Sequence, residues 1–278
     1  MKKLIIIFQI VFIVFGVQAQ TKEPFNIGEI VKLESKILNE ERILNIYIPE
    51  SYKMENSKQY PVIYLIDGSA DEDFIHISGL VQYCSFSWID IISESIVVGI
   101  ANIDRQRDFT FPTTNEEDKK DFPTTGGSEN FIKFIESEVK PLIKTNYRIN
   151  DESTLIGQSF GGLLATEILL KSPQLFDNFI IVSPALWWDD RSLLKLSVDK
   201  IKAPKNIYIA VGEEGPTMEG TALQLISKLQ TLRRRELEKT LVIRYEFLKQ
   251  YNHGNILHSA VYNAFMKFKE VQNINNKN

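Results

Sequence analysis

The stretch that most constrains this chain is Thr154-Leu155-Ile156-Gly157-Gln158-Ser159-Phe160-Gly161-Gly162. An apolar run leads into it, as a buried strand does. Small and aliphatic residues 161–170 lead out, as a helix packed on a sheet does. Between them sits G-x-S-x-G, from Gly157 to Gly161. Strand, sharp turn and helix is the arrangement that lifts a serine hydroxyl out of a sheet edge. Glycines two residues before and after the serine let neighbouring backbone approach without a Cβ clash. Five residues recur by chance, and an ordinary glycine-rich turn has the same pattern, so the rest of the chain must decide.

Strand-like and helix-like segments alternate along that rest. Residues 29–38 and 42–49 alternate apolar and polar side chains around Asn39-Glu40-Glu41, which predicts an antiparallel hairpin ended by Pro49. Residues 60–66, 95–101, 153–159, 179–183, 206–211 and 240–248 read as strands. The runs at 60–66 and 95–101 are continuously apolar, as in strands buried on both faces. Residues 71–85, 128–144, 221–237 and 255–271 read as helices, as does the segment from the serine turn to residue 171. Residues 102–127 read as a long loop rich in Asp, Thr, Pro and Gly, a length usually functional or disordered. The expected fold is α/β: a mostly parallel eight-stranded sheet with a leading antiparallel hairpin. With no repeat and no low-complexity linker, residues 20–278 read as a single domain.

The N-terminus reads differently. Lys2 and Lys3 precede an apolar run over residues 4–17, and Val17-Gln18-Ala19 offers small residues for cleavage. Residues 1–19 are therefore expected to be a secretory signal peptide. The apolar run is short of the ~20 residues a spanning helix needs, and no cysteine follows it to carry a lipid. An exported protein, periplasmic or secreted and without stable membrane insertion, is expected. The net charge is −4 and no basic stripe is present, so nucleic acid is not an expected partner. Arg233-Arg234-Arg235 is followed by Glu236 and Glu238 and reads as a solvated helix face. The single cysteine, Cys84, excludes an intramolecular disulfide and a cysteine-based metal site, and its apolar surroundings suit a small buried side chain. No metal and no cofactor are expected.

A serine hydroxyl is a weak nucleophile that needs a base in reach, and the base needs an orienting acid. The chain offers three histidines. His76 precedes the serine; His253 and His258 both follow the last strand, in the Ser, acid, His order of α/β hydrolases. His253 lies in a polar loop, Tyr251-Asn252-His253-Gly254-Asn255, whereas His258 falls within a predicted helix. Sites in parallel sheets are built from loops at strand carboxyl ends, which favours His253. Gly212-Glu213-Glu214-Gly215 ends the strand at 206–211 and offers two acids, with Glu219, Asp189 and Asp190 as weaker candidates. A Ser–His dyad without an acid also stays open. An oxyanion hole would use the backbone N–H of Phe160 and a second N–H from the turn Asp67-Gly68-Ser69, from Ser69 or Gly68.

These residues resemble the "Putative esterase" family of the α/β-hydrolase superfamily, the group of enterochelin (siderophore) esterases and esterase D-like enzymes. The resemblance runs through Ser35-Lys36-Ile37-Leu38 with residues 42–49, and through Tyr64-Leu65-Ile66-Asp67-Gly68. It continues through Val97-Val98-Gly99-Ile100 followed by Asp104-Arg105-Gln106-Arg107-Asp108-Phe109-Thr110, through Ser183-Pro184-Ala185-Leu186-Trp187-Trp188, and through His253-Gly254. It implies the α/β-hydrolase fold with helices on both faces and Ser159 with His253 as the catalytic pair. For the acid it is less decisive: Glu213 and Glu214 compete, with Glu214 the leading candidate and Glu213 the alternative. Gln158 stands where many members carry His. Arg105, Arg107, Trp187 and Trp188 are candidate substrate-binding residues. The same arginines, paired with Asp104 and Asp108, would instead fold the loop. The expected activity is an exported serine carboxylic-ester hydrolase working through an acyl-enzyme. Its expected substrate is a small-molecule or glycan ester, such as a siderophore lactone or a carbohydrate ester. An acyltransferase using the same Ser–His site, or a non-catalytic binding protein of the same fold, is the alternative.

Overall fold

The computed structural model describes residues 21–201, 205–233 and 241–275. The expected signal peptide, and Arg234-Arg235 with the glutamates after them, lie outside these residues. The strands are β1 (Gly28–Ser35), β2 (Glu40–Tyr47), β3 (Tyr60–Leu65), β4 (Ile96–Ile100), β5 (Ile149–Gln158), β6 (Asn178–Val182), β7 (Lys205–Gly212) and β8 (Leu241–Leu248). They form one eight-stranded sheet in the order β1-β2-β4-β3-β5-β6-β7-β8. β1–β2 and β2–β4 pair antiparallel; the remaining pairs run parallel. The predicted sheet and its leading hairpin are therefore observed. The hairpin turns at Asn39, whose φ of 54° is one of the left-handed values asparagine tolerates.

The helices are α1 (Ser51–Met54), α2 (Phe74–Cys84), α3 (Arg105–Phe109), α4 (Glu116–Asp121), α5 (Ser128–Phe134), α6 (Lys140–Asn146), α7 (Phe160–Lys171), α8 (Trp188–Arg191), α9 (Pro216–Arg233) and α10 (Leu257–Asn275). Two cores flank the sheet. Val62, Tyr64, Val98, Phe179, Ile181, Ile207 and Ile209 face a cluster formed with α5, α7 and α9. Ile63, Leu65, Val97, Ile180, Tyr208 and Ala210 face the other, formed with α2 and α10. Central strands thus bury both sets of alternating side chains, which is why their sequences are apolar runs. Cys84 is fully buried in the second cluster, and burial pushes its thiol up to about 11. It is a packing residue. No helix among the described residues is long and apolar enough to cross a membrane.

Three predicted elements come out differently. The expected loop 102–127 contains α3 and α4, too short to show a helical period. Both caps were present in the sequence: the Asp104 carboxylate accepts from Arg107 N–H (3.0 Å), and the Asn115 amide oxygen accepts from Glu117 N–H (2.9 Å). The helix expected at 128–144 is interrupted by a π-helical turn, Ile135–Val139, just before Pro141, which lacks the amide hydrogen a regular helix would use. The helix expected from residue 221 begins at Pro216, whose fixed φ suits a first helical turn.

The 102–127 segment is held by a buried charge network. Arg42 of β2 is fully buried. Its Nη1 donates to Asp108 Oδ2 (2.7 Å) and Glu40 Oε1 (2.8 Å), and its Nη2 to the Ala101 carbonyl (3.1 Å). Its guanidinium carbon also lies 5.2 Å from the Phe131 ring centroid. Arg107 completes the network, donating to Asp108 Oδ1 (2.7 Å) and Glu40 Oε1 (2.6 Å). Removing one partner of such a cluster leaves buried charge uncompensated. Arg42→Ala should lower unfolding free energy by about 3–5 kcal/mol. Urea denaturation measures this; a loss below about 1 kcal/mol would show that the network contributes no more than a surface ion pair.

Candidate active site

Ser159 stands between β5 and α7 with φ 59° and ψ −120°, a sparsely populated region for a residue with a Cβ. Three backbone hydrogen bonds hold it. Its N–H donates to Val182 O (3.1 Å), and its carbonyl accepts from Leu163 N–H (2.9 Å) and Ala185 N–H (3.0 Å). The flanking glycines have a measurable reason. A Cβ on Gly157 would lie 2.3 Å from the Gly161 carbonyl oxygen, and one on Gly161 would lie 3.0 Å from Ile66 Cγ2. The Ser159 side chain is half-buried, and its hydroxyl makes no hydrogen bond to another described residue.

β5, β6, β7 and β8 are parallel neighbours, so the loops after them share one edge of the sheet. Ser183 follows β6, Glu214 follows β7, and His253 follows β8. The Glu214 side chain is 3% exposed and meets all three loops. Its Oε2 lies 2.5 Å from His253 Nδ1. Its Oε1 accepts from the Ser183 hydroxyl and from Gly212 N–H (2.9 Å). Burial works against the carboxylate, but the bonds from His253, Ser183 and Gly212 outweigh it and hold Glu214 below the usual range. The Gln158 amide donates to the His253 carbonyl (2.5 Å), tying the residue before Ser159 to the histidine loop. Glu213 N–H donates to Tyr251 O (2.8 Å), closing the β7 and β8 loops on each other.

The other acids point elsewhere. The Glu213 side chain is exposed and makes no hydrogen bond to His253. Glu219 Oε1 accepts from the amides of Glu214 (3.0 Å) and Gly215 (2.8 Å), supporting the loop. Asp189 accepts from Thr113 and Thr114, and Asp190 from Asn115. His258 sits in α10 with its ring edge-on to His76 of α2, centroids 4.9 Å apart.

The turn after β3 faces the same region. Gly68 N–H donates to Ile100 O (3.0 Å), whereas Ser69 N–H and Phe160 N–H have no acceptor among the described residues. That separates the two candidates in the turn, because an amide already bound cannot also receive a ligand oxygen. Asp67 holds the turn with φ 60°. Its carboxylate accepts from Arg105 Nε (2.9 Å) and Nη2 (3.1 Å) and from Asn102 Nδ2 (2.7 Å). The Arg105 guanidinium carbon lies 5.6 Å from the Phe160 ring centroid, and Trp187 lies 5.9 Å from the same ring. Burial, with Asp67 and Glu72 adding to it, pushes the neighbouring Asp73 carboxyl up to about 6.

One expected substrate contact needs correcting, and another is engaged elsewhere. Trp188 is fully buried and its Nε1 donates to Phe111 O (2.9 Å), so it belongs to the core. Arg107 is bound to Glu40 and Asp108 in the Arg42 network. Neighbouring residues on a short helix or turn point in different directions, which the pairs Arg105/Arg107 and Trp187/Trp188 do not reveal in one dimension. Ser183 and Gln158 were visible in the sequence as motif members, but no sequence signal assigned them a partner.

Because folding lowers the Glu214 carboxyl, the stability it contributes is complete above the ordinary carboxylate range and is lost as pH falls through its folded value. Glu214→Gln should therefore flatten the acid limb of the stability profile. Urea unfolding between pH about 7 and about 3 tests this; an unchanged acid limb would contradict the Glu214 contacts.

Residues 35–255 match the Esterase family model, described as "Putative esterase". The chain is 30% identical over 241 residues to the ferri-bacillibactin esterase BesA of Bacillus subtilis, covering 78% of this chain and 81% of that protein. Among solved structures it is similar to an IroE-like serine hydrolase from Shewanella oneidensis, with TM-score 0.78 and 27% identity over 87% of this chain and 80% of the other. It is also similar to the BES protein from Bacillus cereus, with TM-score 0.76 and 26% identity over 89% of this chain and 97% of the other. The family match takes in β2, the Ser159 turn and the His253 loop, and the chain belongs to this esterase family of α/β hydrolases.

Proposed function

We propose that this esterase is an exported serine carboxylic-ester hydrolase acting through an acyl-enzyme, with Ser159, His253 and Glu214 as its catalytic residues. The observation that carries this reading is the buried Glu214 carboxylate joined to His253 Nδ1, in loops that share a sheet edge with the strained Ser159. In the first half-reaction Ser159 Oγ attacks the ester carbonyl carbon as its proton passes to His253 Nε2. Glu214 stays ionised, accepts the hydrogen bond from His253 Nδ1–H and stabilises the imidazolium. The developing oxyanion is met by the free N–H groups of Phe160 and Ser69. The tetrahedral adduct collapses, the ester C–O bond breaks, and His253 returns the proton to the leaving alcohol. Water then repeats the sequence with His253 as base, releasing the acid and restoring Ser159.

For the substrate we propose a small-molecule ester of the siderophore-lactone class, in line with BesA's being a ferri-bacillibactin esterase. Arg105 and Trp187 are the proposed contacts, because both flank the Phe160 ring beside Ser159. The Arg105 side chain, 37% exposed, keeps part of its charge open to an anionic substrate while Asp67 fixes its orientation. Export rests on the signal-peptide pattern of residues 1–19.

Ser159→Ala and His253→Ala should each lower turnover of p-nitrophenyl butyrate by about a thousandfold or more, and Ser159→Ala should abolish labelling by a fluorophosphonate. Unchanged turnover in Ser159→Ala would sink the mechanism. Arg105→Gln should reduce kcat/KM for an anionic ester, p-nitrophenyl hemisuccinate, about tenfold more than for the neutral butyrate, about what one charge-assisted hydrogen bond contributes. Equal losses on both esters would confine Arg105 to holding the Asp67 turn.

A further inference from the structure

The opposite end of the sheet carries a second concave surface, built where strands begin. Tyr47 ends β2 opposite Val97 near the start of β4, Lys58 precedes β3, and the segment through Phe86 and Trp88 leads into β4. Together with Gln82 and Glu94 these residues line a groove of about 540 Å³. The Ser159, Glu214 and His253 loops follow the other ends of their strands, so the groove is separate from that site.

Three observations define what the groove accepts. The first is aromatic. Phe86 and Trp88 are stacked with centroids 4.6 Å apart and planes 14° from parallel, and Trp88 is 75% exposed. Stacking occupies one face of the indole and leaves the other to solvent. Tyr83, 46% exposed, meets Phe86 edge-on and extends the platform.

The second is an orphan hydroxyl. Tyr47 is only 6% exposed yet lines the groove, and its phenol makes no hydrogen bond to any described residue. The ring is buried while the hydroxyl opens onto the groove. Burial, with Glu94 and Glu50 nearby, pushes this phenol up to about 12, so it remains a neutral donor at physiological pH.

The third is charge balance. Lys58 Nζ is bonded to Glu94, whose carboxylate also accepts from Ser51 Oγ (2.6 Å). Asp90 is bonded to Lys269 (2.5 Å). An anionic ligand finds Lys58 already neutralised and meets the carboxylates of Glu50 and Glu55 as well, whereas those two exposed carboxylates can accept hydrogen bonds from ligand hydroxyls. A neutral ring with a C–H face and several hydroxyls matches what remains: an open indole face, a phenol without a partner, and the Gln82 amide.

We infer that this groove binds a neutral pyranose unit of a glycan, with the sugar ring on the free face of Trp88 and a sugar hydroxyl bonded to Tyr47. The site would anchor the esterase to a polysaccharide independently of ester hydrolysis, and it does not rest on the catalytic assignment.

Isothermal titration calorimetry of the intact protein with cellohexaose, xylohexaose and maltohexaose tests this, with hexalysine and a galacturonic acid oligomer as charged probes. At least one neutral oligosaccharide should bind saturably. Trp88→Ala should weaken it by about tenfold or more, and Tyr47→Phe by about three- to tenfold, with thermal unfolding confirming that both variants fold. Ser159→Ala should bind as wild type, and Trp88→Ala should hydrolyse p-nitrophenyl butyrate as wild type. The inference is overturned if none of the three neutral oligosaccharides binds, if both variants bind as wild type, or if only a charged probe binds.

Discussion

A serine does not choose φ 59° on its own; such a conformation costs about 1–3 kcal/mol and persists only when the surroundings over-determine it. Here the surroundings are backbone. The Ser159 amide is held by β6, and its carbonyl by α7 and by Ala185 beyond β6. Gly157 and Gly161 allow strand and helix to approach more closely than any side chain would permit. The strain is therefore carried by the packed parallel sheet, and the sheet's buried faces supply the stability that offsets it. Because Ser159 is half-buried and its hydroxyl makes no bond to another described residue, the oxygen is free for the nucleophilic role proposed for it.

The same edge gathers the remaining groups by parallel connectivity. In a parallel sheet every carboxyl end lies on one side, so loops remote in sequence become neighbours. Glu214 illustrates this, since one carboxylate touches Ser183 after β6, Gly212 at the end of β7, and His253 after β8. An acid so bonded keeps its charge despite burial, the condition for stabilising an imidazolium. On the other side, Arg105 and Asn102 clamp Asp67, and Gly68 packs where a Cβ would lie 2.3 Å from Gly99 Cα. Arg42 supports that side from below by anchoring α3 through Asp108.

The two ends of the sheet differ in chemistry. The carboxyl end carries strained backbone, unbound amides and an ionised acid against an imidazole. The amino end carries an exposed stacked Trp88, an unpartnered Tyr47 phenol and charges paired with one another. The first arrangement suits bond making and breaking; the second suits holding a neutral, hydroxyl-rich surface.

The linear sequence determined the strand and helix alternation, the leading hairpin and the serine turn, because these depend on local periodicity and on glycine spacing. It also narrowed the proposed base to a loop histidine, because His253 follows a strand end. It did not separate Glu213 from Glu214, or Ser69 from Gly68, because adjacent residues differ only in direction. Folding alone decided that Glu214 reaches His253 and that Gly68 spends its amide on Ile100. Likewise it turned Trp188 inward and bound Arg107 to Glu40 and Asp108, while leaving Trp187 and Arg105 beside Phe160. Pattern records which residues face a core, whereas the meeting of β6, β7 and β8 loops at one carboxylate is a property of strand order, which no local stretch encodes.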